Sequence, residues 1–304
     1  MSYARKYRPK RLKTFIGNTK TVQAVEAMLE SETPSHSIMI TGPTGCGKTT
    51  LGRIIANMLE SYGDDYTEMD SADFRGIDTI RNLRKQIQYR PIAEDSKTRV
   101  FLMDECHKLT GDAQSALLKN LEEPPDHVYF ILCTTDPQKV LPTIKGRCVQ
   151  LKVNPLSDDQ MRKLLNRVCK KEKLTVPEDV IEQIIDDSIG YPRNALKVLD
   201  KIAGLDVDDM QEAAAQEAET QNTIFELAMA LLNKKKWGAI ATILTNLKDE
   251  DAEGIRRAVL GICSSMLLKK DNGQLFVIMK KFEEPTYNIG MPGIVLACYR
   301  IVNL

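Results

Sequence analysis

Short apolar runs alternate with helical patterns through the first half of the chain. Five of these runs have the length and composition of strands: Ser37–Thr41, Tyr66–Asp70, Arg99–Asp104, Val128–Thr134 and 148–153. Segments with apolar residues at helical spacing separate them, as in a mostly parallel sheet joined by crossover helices. The pattern therefore predicts an α/β domain over residues 1–155.

The strand pattern stops near residue 155, and only helical patterns follow. Ser157, two acidic residues and Gln160 form a helix start signal, because a serine side chain accepts from the first free N–H groups of a helix. Residues 156–205 are therefore predicted to form a small helical domain. The acidic, alanine-rich stretch 206–221 is predicted to be a linker, and helical spacing in residues 222–304 predicts an all-helical domain.

The segment 42–50 reads G-P-T-G-C-G-K-T-T and contains the complete phosphate-binding pattern G-x-x-x-x-G-K-[ST]. A predicted strand precedes it and a helical pattern follows, which is the context that this loop requires. We expect backbone N–H groups to surround nucleotide phosphates, Lys48 to contact the outer phosphates and Thr49 to bind Mg²⁺. The alternative is a chance glycine-rich turn. The predicted loop site consists of Gly42, Thr44, Gly45, Cys46, Gly47, Lys48, Thr49 and Thr50.

Two adjacent carboxylates, Asp104 and Glu105, follow the third predicted strand. In a phosphate-loop site one such acid holds Mg²⁺ and the other activates water. We assign the metal to Asp104 and the role of base to Glu105. A strand end followed by a solvated loop is the alternative, but the spacing of about fifty residues from the phosphate loop fits one doubly wound sheet.

Composition and charge narrow the class of protein. The chain has 304 residues, of which 42% are hydrophobic and 28% charged, as expected of a soluble protein of two or three domains. Its 42 basic and 42 acidic residues cancel, so nucleic acid would be bound by local patches. No run of eighteen apolar residues predicts a membrane span. Seven cysteines without a C-x-x-C pair support neither a zinc module nor a disulfide framework, and indicate a reducing cytoplasm.

Four basic residues form a candidate contact for nucleic-acid phosphates. Arg75 and Arg81 lie in and just after a turn that begins a predicted helix, and Lys108 and Lys119 flank the helix after Glu105. Cations near helix N-termini suit phosphate oxygens. We expect such contacts to depend on duplex shape and charge rather than on base sequence. A solvated basic face is the alternative.

Longer motifs carry a family resemblance. The segments are R-K-Y-R-P at 5–9, I-G at 16–17, D-E-C-H-K-L-T-G-D-A-Q-S-A-L-L-K-N-L-E-E-P-P at 104–125, T-T-D-P-Q-K at 134–139 and G-R-C at 146–148. They resemble segments of AAA+ sliding-clamp-loader ATPase subunits: the bacterial gamma/tau subunit, replication factor C small subunits and the large subunit of phage clamp loaders. The resemblance covers roughly residues 3–205. It implies an AAA+ P-loop ATPase with a parallel sheet, a helical lid domain and an all-α collar domain.

The resemblance also implies roles for single residues. Thr135 matches a position that senses the γ-phosphate, and Arg193 matches a lid arginine that contacts nucleotide in cis. Arg147 matches the arginine finger that reaches the ATP of a neighbouring subunit in trans. For both arginines the alternative is a surface salt bridge. Further matches place the adenine pocket at Tyr7, Arg8, Pro9 and Ile16, and the DNA backbone at Arg81 and Lys119.

Two departures from the family pattern bear on this comparison. Gly146 stands where a serine usually precedes the finger arginine, and glycine leaves the backbone of that loop freer. The chain also lacks the four-cysteine zinc module that follows the phosphate-loop helix in the bacterial subunit. The absence of this module and of a long extension after the helical tail favours a compact loader subunit of phage or archaeal type, in a phage-infected or prokaryotic cell.

The expected function is that of a clamp-loader ATPase that uses ATP and Mg²⁺. Expected partners are a sliding clamp, other loader subunits in a hetero-oligomeric, pentameric ring, and the backbone of primer-template DNA. One alternative is a non-catalytic scaffold subunit, although the intact residues Lys48, Thr49, Asp104 and Glu105 argue against it. Another is a DNA motor such as a branch-migration helicase, for which we would expect a winged-helix domain at the C-terminus.

Overall fold

The structure is a computed structural model that describes residues 2–71, 76–267, 271–284 and 289–303, without the side chains of 207, 208 and 211–221. The described strands are β1 Ser37–Thr41, β2 Tyr66–Asp70, β3 Arg99–Asp104, β4 Val128–Thr134 and β5 Val149–Lys152. The described helices are α1 Tyr3–Lys6, α2 Thr19–Leu29, α3 Lys48–Met58, α4 Ile77–Ile87, α5 Gly111–Glu122, α6 Pro142–Lys145, α7 Asp158–Glu172, α8 Glu178–Ser188, α9 Pro192–Ile202, α10 Val207–Leu232, α11 Trp237–Asn246, α12 Ala252–Leu267, α13 Gly273–Lys281 and α14 Met291–Val302.

The five strands form one parallel sheet in the order β2-β3-β4-β1-β5. All five were predicted from the apolar runs, and β5 is one residue shorter at each end than the predicted 148–153. Parallel strands need crossover connections, and helices supply them here. The predicted α/β P-loop fold is confirmed.

Alternate residues of each central strand enter two different cores. Ile38 and Ile40 of β1 pack in the core that contains α3, while Met39 packs in the core that contains α4 and α5. This follows from the two-residue period of a strand, which sends neighbouring side chains to opposite faces of the sheet. Burial on both faces explains why the central strands β1, β3 and β4 read as nearly continuous apolar runs.

Helices α7, α8 and α9 pack against one another after the last strand. The start of α7 has the predicted form: the Ser157 hydroxyl accepts from the Gln160 N–H, and the Gln160 side chain accepts from the Ser157 N–H. This capping box satisfies two N–H groups that a helix start leaves without partners.

The chain divides into two compact units, residues 1–207 and residues 208–304. The sheet and α7 to α9 belong to the first unit. The second unit has its own apolar core, formed by α10 to α14. Residues 206–221, which we interpreted as a linker, have a helical backbone from Val207 onward. No helix in the described part of the chain is both long and apolar enough to cross a membrane.

Candidate functional site

The phosphate-binding loop joins β1 to α3 at the carboxyl edge of the sheet. Its first residue must be a glycine, since a Cβ at Gly42 would lie 2.1 Å from the carbonyl oxygen of Val153. Lys48 is the first residue of α3 and is buried. Its ammonium donates to the carbonyl oxygen of Pro43, 3.1 Å away within the same loop. The lysine therefore lies beside the N-terminus of α3, where backbone N–H groups and the helix dipole favour phosphate.

Thr49 and Asp104 meet beside this loop, although they are far apart in the sequence. The Thr49 hydroxyl donates to the Asp104 carboxylate over 2.6 Å. The pair fits Mg²⁺, which uses one or two protein oxygens and takes its remaining ligands from phosphates and water. Among the described residues no cluster of three or more histidine, cysteine or acidic side chains could hold a metal. A metal here would thus depend on this pair together with nucleotide phosphates.

Glu105 directly follows β3 and has a left-handed backbone conformation, with φ 49°. Its carboxylate accepts from the Thr135 hydroxyl over 3.0 Å. The Nδ1 atom of His107 lies 3.3 Å from the same carboxylate oxygen. The predicted base and the predicted γ-phosphate sensor are therefore direct neighbours.

His107 is a part of this cluster that the sequence interpretation missed. Its Nδ1 atom also lies 3.0 Å from the hydroxyl of Thr134, the last residue of β4. Burial is the main cause that lowers the pKa of the imidazole, against the opposite effect of the Glu105 carboxylate. His107 is therefore mainly neutral at pH 7. Its position two residues after Glu105 could have indicated it, but a single histidine does not reveal its partner.

A cavity of about 1140 Å³ lies between the phosphate loop, the N-terminal segment and helices α7 and α9. Nine of the residues predicted to bind nucleotide line it: Tyr7, Arg8, Pro9, Ile16, Gly45, Cys46, Gly47, Thr50 and Arg193. The other four, Gly42, Thr44, Lys48 and Thr49, lie in the same loop but outside this lining. The residues implied for the adenine pocket are thus grouped at one end of the phosphate loop.

Arg193 stands close to the loop in the same chain. It lies in the first turn of α9, and its Cβ is 3.5 Å from the position that a Cβ would have on Gly45. Gly45 has φ +84°, a backbone conformation that side chains other than glycine rarely adopt. This proximity fits a contact between Arg193 and nucleotide bound in cis.

Phe15 and Arg167 are two of the lining residues that were not predicted. The Phe15 ring is 3.3 Å from the position that a Cβ would have on Gly47, so it closes over the loop. Arg167 of α7 donates to the carbonyl oxygen of Thr14 over 3.0 Å and holds the N-terminal segment. Phe15 precedes the matched Ile16, but nothing in the local sequence pairs Arg167 with residue 14.

The cavity is strongly cationic. Among the described residues that line it nine are basic and none is acidic: Arg5, Lys6, Arg8, Lys10, Arg11, Arg167, Lys171, Arg193 and Lys197. Such a concentration of positive charge favours an anionic ligand. Cys46 also lines the cavity, but burial raises the pKa of its thiol to about 11, so the thiol is protonated at pH 7.

Arg147 follows the short helix α6 and lies away from this cavity. Its guanidinium donates to the carbonyl oxygen of Thr143 over 2.9 Å and to the Glu122 carboxylate over 2.5 Å. The side chain is 36% exposed. An ion pair therefore holds Arg147 at the surface. Arg147 is not among the described residues that line the cavity beside its own phosphate loop.

The predicted DNA contacts are placed in part. Arg75 lies outside the described residues. Arg81 on α4 is exposed and donates to the Asp78 carboxylate over 2.9 Å. Lys108 precedes α5 and Lys119 lies on α5, and both are exposed. Because α4 and α5 pack against each other, the three described cations belong to neighbouring elements.

Comparison with known proteins relates the chain to replication proteins. The family model described as DNA polymerase III, delta subunit matches residues 64–157. The chain is 35% identical over 225 residues to the DNA polymerase III subunit gamma/tau of Mycobacterium tuberculosis, covering 66% of this chain and 39% of that protein. It is 32% identical over 205 residues to the replication factor C small subunit of Methanococcus maripaludis, covering 67% of this chain and 65% of that protein.

A third relative, the DNA polymerase III subunit tau of Bacillus subtilis, is 30% identical over 270 residues, with 80% of this chain and 48% of that protein covered. The chain thus spans less than two thirds of each of these relatives. Among solved structures, the Thermotoga maritima RuvB Holliday junction branch migration motor matches with a TM-score of 0.62 and 20% identity, over 79% of this chain and 85% of that one. At 20% identity this match shows a similar fold and nothing more. The sequence matches confirm the resemblance to AAA+ clamp-loader subunits.

Proposed function

We propose that this chain, a homologue of AAA+ clamp-loader subunits, is the ATPase subunit of a sliding-clamp loader. The observation that carries the proposal is the cluster in which Thr49 contacts Asp104 and Thr135 contacts Glu105. It joins the phosphate loop, the end of β3 and the residue after β4 at one edge of the sheet. In parallel α/β sheets, ligands usually bind at this edge, where the carboxyl ends of the strands lie.

Each residue of the cluster then has a separate task in ATP hydrolysis. Lys48 and the N–H groups at the start of α3 hold the outer phosphates, and Thr49 and Asp104 hold Mg²⁺. The bound metal supplies charge neutralisation at the phosphates. Glu105 accepts a proton from the attacking water, and Thr135 holds the Glu105 carboxylate in place until nucleotide arrives. Lys48, the two proposed metal ligands and the proposed general base Glu105 are all present. This favours a catalytic subunit over a non-catalytic scaffold subunit.

The nucleotide base would lie in the cavity bordered by the N-terminal segment. Tyr7, Pro9, Phe15 and Ile16 supply apolar surface there, and Arg193 supplies charge from α9. Apolar surface of this kind suits a purine base, and the basic residues of the same cavity suit the phosphates attached to it. We assign adenine to this pocket because of the clamp-loader resemblance.

The remaining assignments describe the assembly. Residues 156–205 would act as a lid over the nucleotide, and residues 222–304 as a collar that joins subunits into a pentameric hetero-oligomeric ring. Arg147 would enter the ATP site of a neighbouring subunit. Arg81, Lys108 and Lys119 would contact the backbone of primer-template DNA, and the sliding clamp would bind the assembled ring.

The test is clamp loading by the purified complex. The chain is purified with the clamp and the other loader subunits of its source, and two quantities are measured: ATP turnover and clamp retained on primed circular DNA. We expect primer-template DNA to raise turnover, and we expect this rise to fall as salt increases, because phosphate contacts release counterions.

The matched control for this experiment is Glu94→Gln, a change of an exposed carboxylate in the loop between α4 and β3. It should load the clamp normally, while Glu105→Gln should not support repeated loading. Loading that needs no ATP would contradict the proposal. So would ATP-driven movement of a four-way DNA junction without any clamp loading, which is the outcome expected for a motor.

A further inference from the structure

The N-terminal segment needs anchors outside itself. Helix α1 has only four residues, and none of them is buried. So short a helix is not stable on its own in water. Its position therefore depends on contacts with the rest of the first unit, and α1 packs against α9.

The side chains of this segment meet at one carboxylate, that of Glu172. The Tyr7 hydroxyl donates to it, and the Lys6 ammonium lies 2.5 Å from the same oxygen. Hydrogen bonds from Lys6 and Tyr7 are the main causes that lower the pKa of Glu172, so the carboxylate stays ionised near neutral pH. Glu172 is thus the common partner of two neighbouring residues of the segment.

Further contacts lie around the Tyr7 ring. The ammonium groups of Lys6 and Lys171 lie 5.5 and 5.6 Å from the ring centre, within the range of a cation–π contact. The Tyr3 ring meets the Tyr7 ring edge to face at 5.7 Å. These contacts lie around the ring itself, whereas the hydrogen bond to Glu172 fixes its hydroxyl end.

Glu172 occupies a position in α7 where a carboxylate does not stabilise the helix. Glu172 is the last residue of α7. A carboxylate at a helix C-terminus is disfavoured by the helix dipole, which favours cations there. Lys170 and Lys171 occupy the same turn in agreement with that rule. The acid is accounted for by Tyr7 and Lys6, not by the stability of α7.

Glu172 does not itself line the cavity, whereas Lys6, Tyr7 and Lys171 do. We infer that Glu172 is a positioning residue for base recognition, which holds the Tyr7 ring as the cavity wall against which the nucleotide base packs. The inference rests on the proposed ATP site. Because Glu172 belongs to α7 and Tyr7 to the N-terminal segment, the contact also joins the base pocket to the helices that follow the sheet.

The test compares a ligand that has a base with one that has none. Dissociation constants for Mg·ATP and for inorganic tripolyphosphate with Mg²⁺ are measured on the full chain, by competition with a fluorescent ATP analogue. Glu172→Gln should weaken ATP binding about tenfold, because the neutral amide lacks the charge that strengthens the hydrogen bonds from Tyr7 and Lys6. It should change tripolyphosphate binding by less than about twofold, because the phosphate loop is untouched. In turnover assays, KM for ATP should rise while kcat stays the same.

Two further variants keep the test decisive. Glu178→Gln changes another carboxylate of the helical region, one that pairs with Arg162, and should alter neither dissociation constant. Tyr7→Phe removes only the hydroxyl and should reproduce the selective loss of ATP affinity, even if Glu172→Gln does not fold. In the double variant, the second change should add little, since both remove one interaction.

Three outcomes would overturn the inference. The first is an equal loss of ATP and tripolyphosphate affinity in Glu172→Gln, which would indicate general damage to the site. The second is that the wild-type chain binds ATP and that both Glu172→Gln and Tyr7→Phe bind it with the same affinity. In the third, wild-type chain binds neither ligand; the proposed ATP site is then wrong, and the inference fails with it.

Discussion

At the scale of single residues, Glu105 is held in an unusual state. Its backbone is left-handed, with φ 49° and ψ 41°. For a residue with a side chain this conformation costs about 1–2 kcal/mol, and such strain persists where the surroundings fix it. The Thr135 hydroxyl and the His107 ring lie at the same carboxylate oxygen. The strained backbone and the two contacts hold the carboxylate beside the end of β4.

The first prediction separates the roles of Lys48 and Glu105. Lys48→Ala should weaken ATP binding by about 100-fold, because a buried ammonium that bonds phosphate is lost. Glu105→Gln should leave ATP binding within about threefold of wild type and lower kcat by about 100-fold or more, the usual contribution of a general base. Equilibrium binding and single-turnover hydrolysis measure the two effects.

The control is again Glu94→Gln, which changes an exposed carboxylate of the same unit and should affect neither quantity. Equal loss of binding in Lys48→Ala and Glu105→Gln would contradict the assignment of roles. Normal turnover in Glu105→Gln would instead move the role of base to another group, and His107 would be the neighbour to examine.

Motif residues were accessible from the sequence, whereas their partners were not. The phosphate loop is one contiguous segment and the acids Asp104 and Glu105 are adjacent in another, so sequence spacing alone identifies both. His107 and Arg167 act through residues that are distant in the sequence, Thr134 and Thr14. Such contacts are set by the packing of elements, which local patterns do not determine. The roles of the predicted site residues stay predictions until they are measured.

At the scale of elements, the strands follow from local pattern, but their order does not. Each of the central strands β1, β3 and β4 is an apolar run that is almost entirely buried, and this signal marks its position and its bounds, whereas the edge strands β2 and β5 are more exposed. The placement of β1 between β4 and β5 depends on pairs such as Ile38 with Ile131 and Ile38 with Val149. These pairs join residues about a hundred positions apart in the chain, beyond the reach of any local periodicity.

The long connection between α4 and β3 illustrates how one buried ion pair organises a segment without regular structure. Asp65 has no exposed surface, and its carboxylate accepts from the N–H groups of Ile92 and Ala93 in that connection. It also pairs with the Arg99 guanidinium at 2.7 Å, at the start of β3. Burial alone would raise the pKa of Asp65, but the hydrogen bonds from Ala93, Arg99 and Ile92 outweigh it, and the net pKa is lowered.

The second prediction concerns this pair and its pH dependence. Asp65→Ala should lower the free energy of unfolding by about 3–5 kcal/mol, because the Arg99 charge stays buried without its partner. Since the folded pKa of Asp65 lies below the unfolded one, its stabilising effect is complete above the unfolded pKa, near 3.8, and is lost as the pH falls through the folded pKa.

Urea unfolding at several pH values measures both effects. Wild-type stability should decline below about pH 4, and the difference between wild type and Asp65→Ala should shrink over the same range. Asp78→Ala is the matched control, because Asp78 pairs with Arg81 at the surface and should matter by less than about 1 kcal/mol. A difference between wild type and Asp65→Ala that stays constant to low pH would show that the ionised carboxylate is not the stabilising group.

At the scale of the whole molecule, the position of Arg147 fits the proposed role in the ATP site of a neighbouring subunit. Its exposed guanidinium is held by Glu122 and the Thr143 carbonyl, outside the described lining of its own nucleotide cavity. An exposed ion pair of this kind contributes little to stability. Replacing Glu122 by the ATP phosphates of a neighbouring subunit would therefore cost little free energy. The expected trans role therefore needs no rearrangement of the core.

The third prediction tests that role by mixing two inactive variants. Arg147→Ala should bind ATP normally but lower kcat by about a thousandfold, the effect of removing an arginine finger in other phosphoryl-transfer enzymes. Glu105→Gln should be inactive for a different reason, since it would lack the proposed general base. In an assembly of both variants, some interfaces join an intact Glu105 site to an intact Arg147, and turnover should partly return.

The control is Arg162→Ala, which removes another surface ion pair on α7 and should stay fully active. Co-assembly is verified by the mass of the complex, and the ATP turnover of the mixture is then compared with that of each variant alone. A co-assembled mixture without recovery, or an isolated monomer that hydrolyses ATP at the full rate of the complex, would mean that Arg147 does not act on a neighbouring subunit.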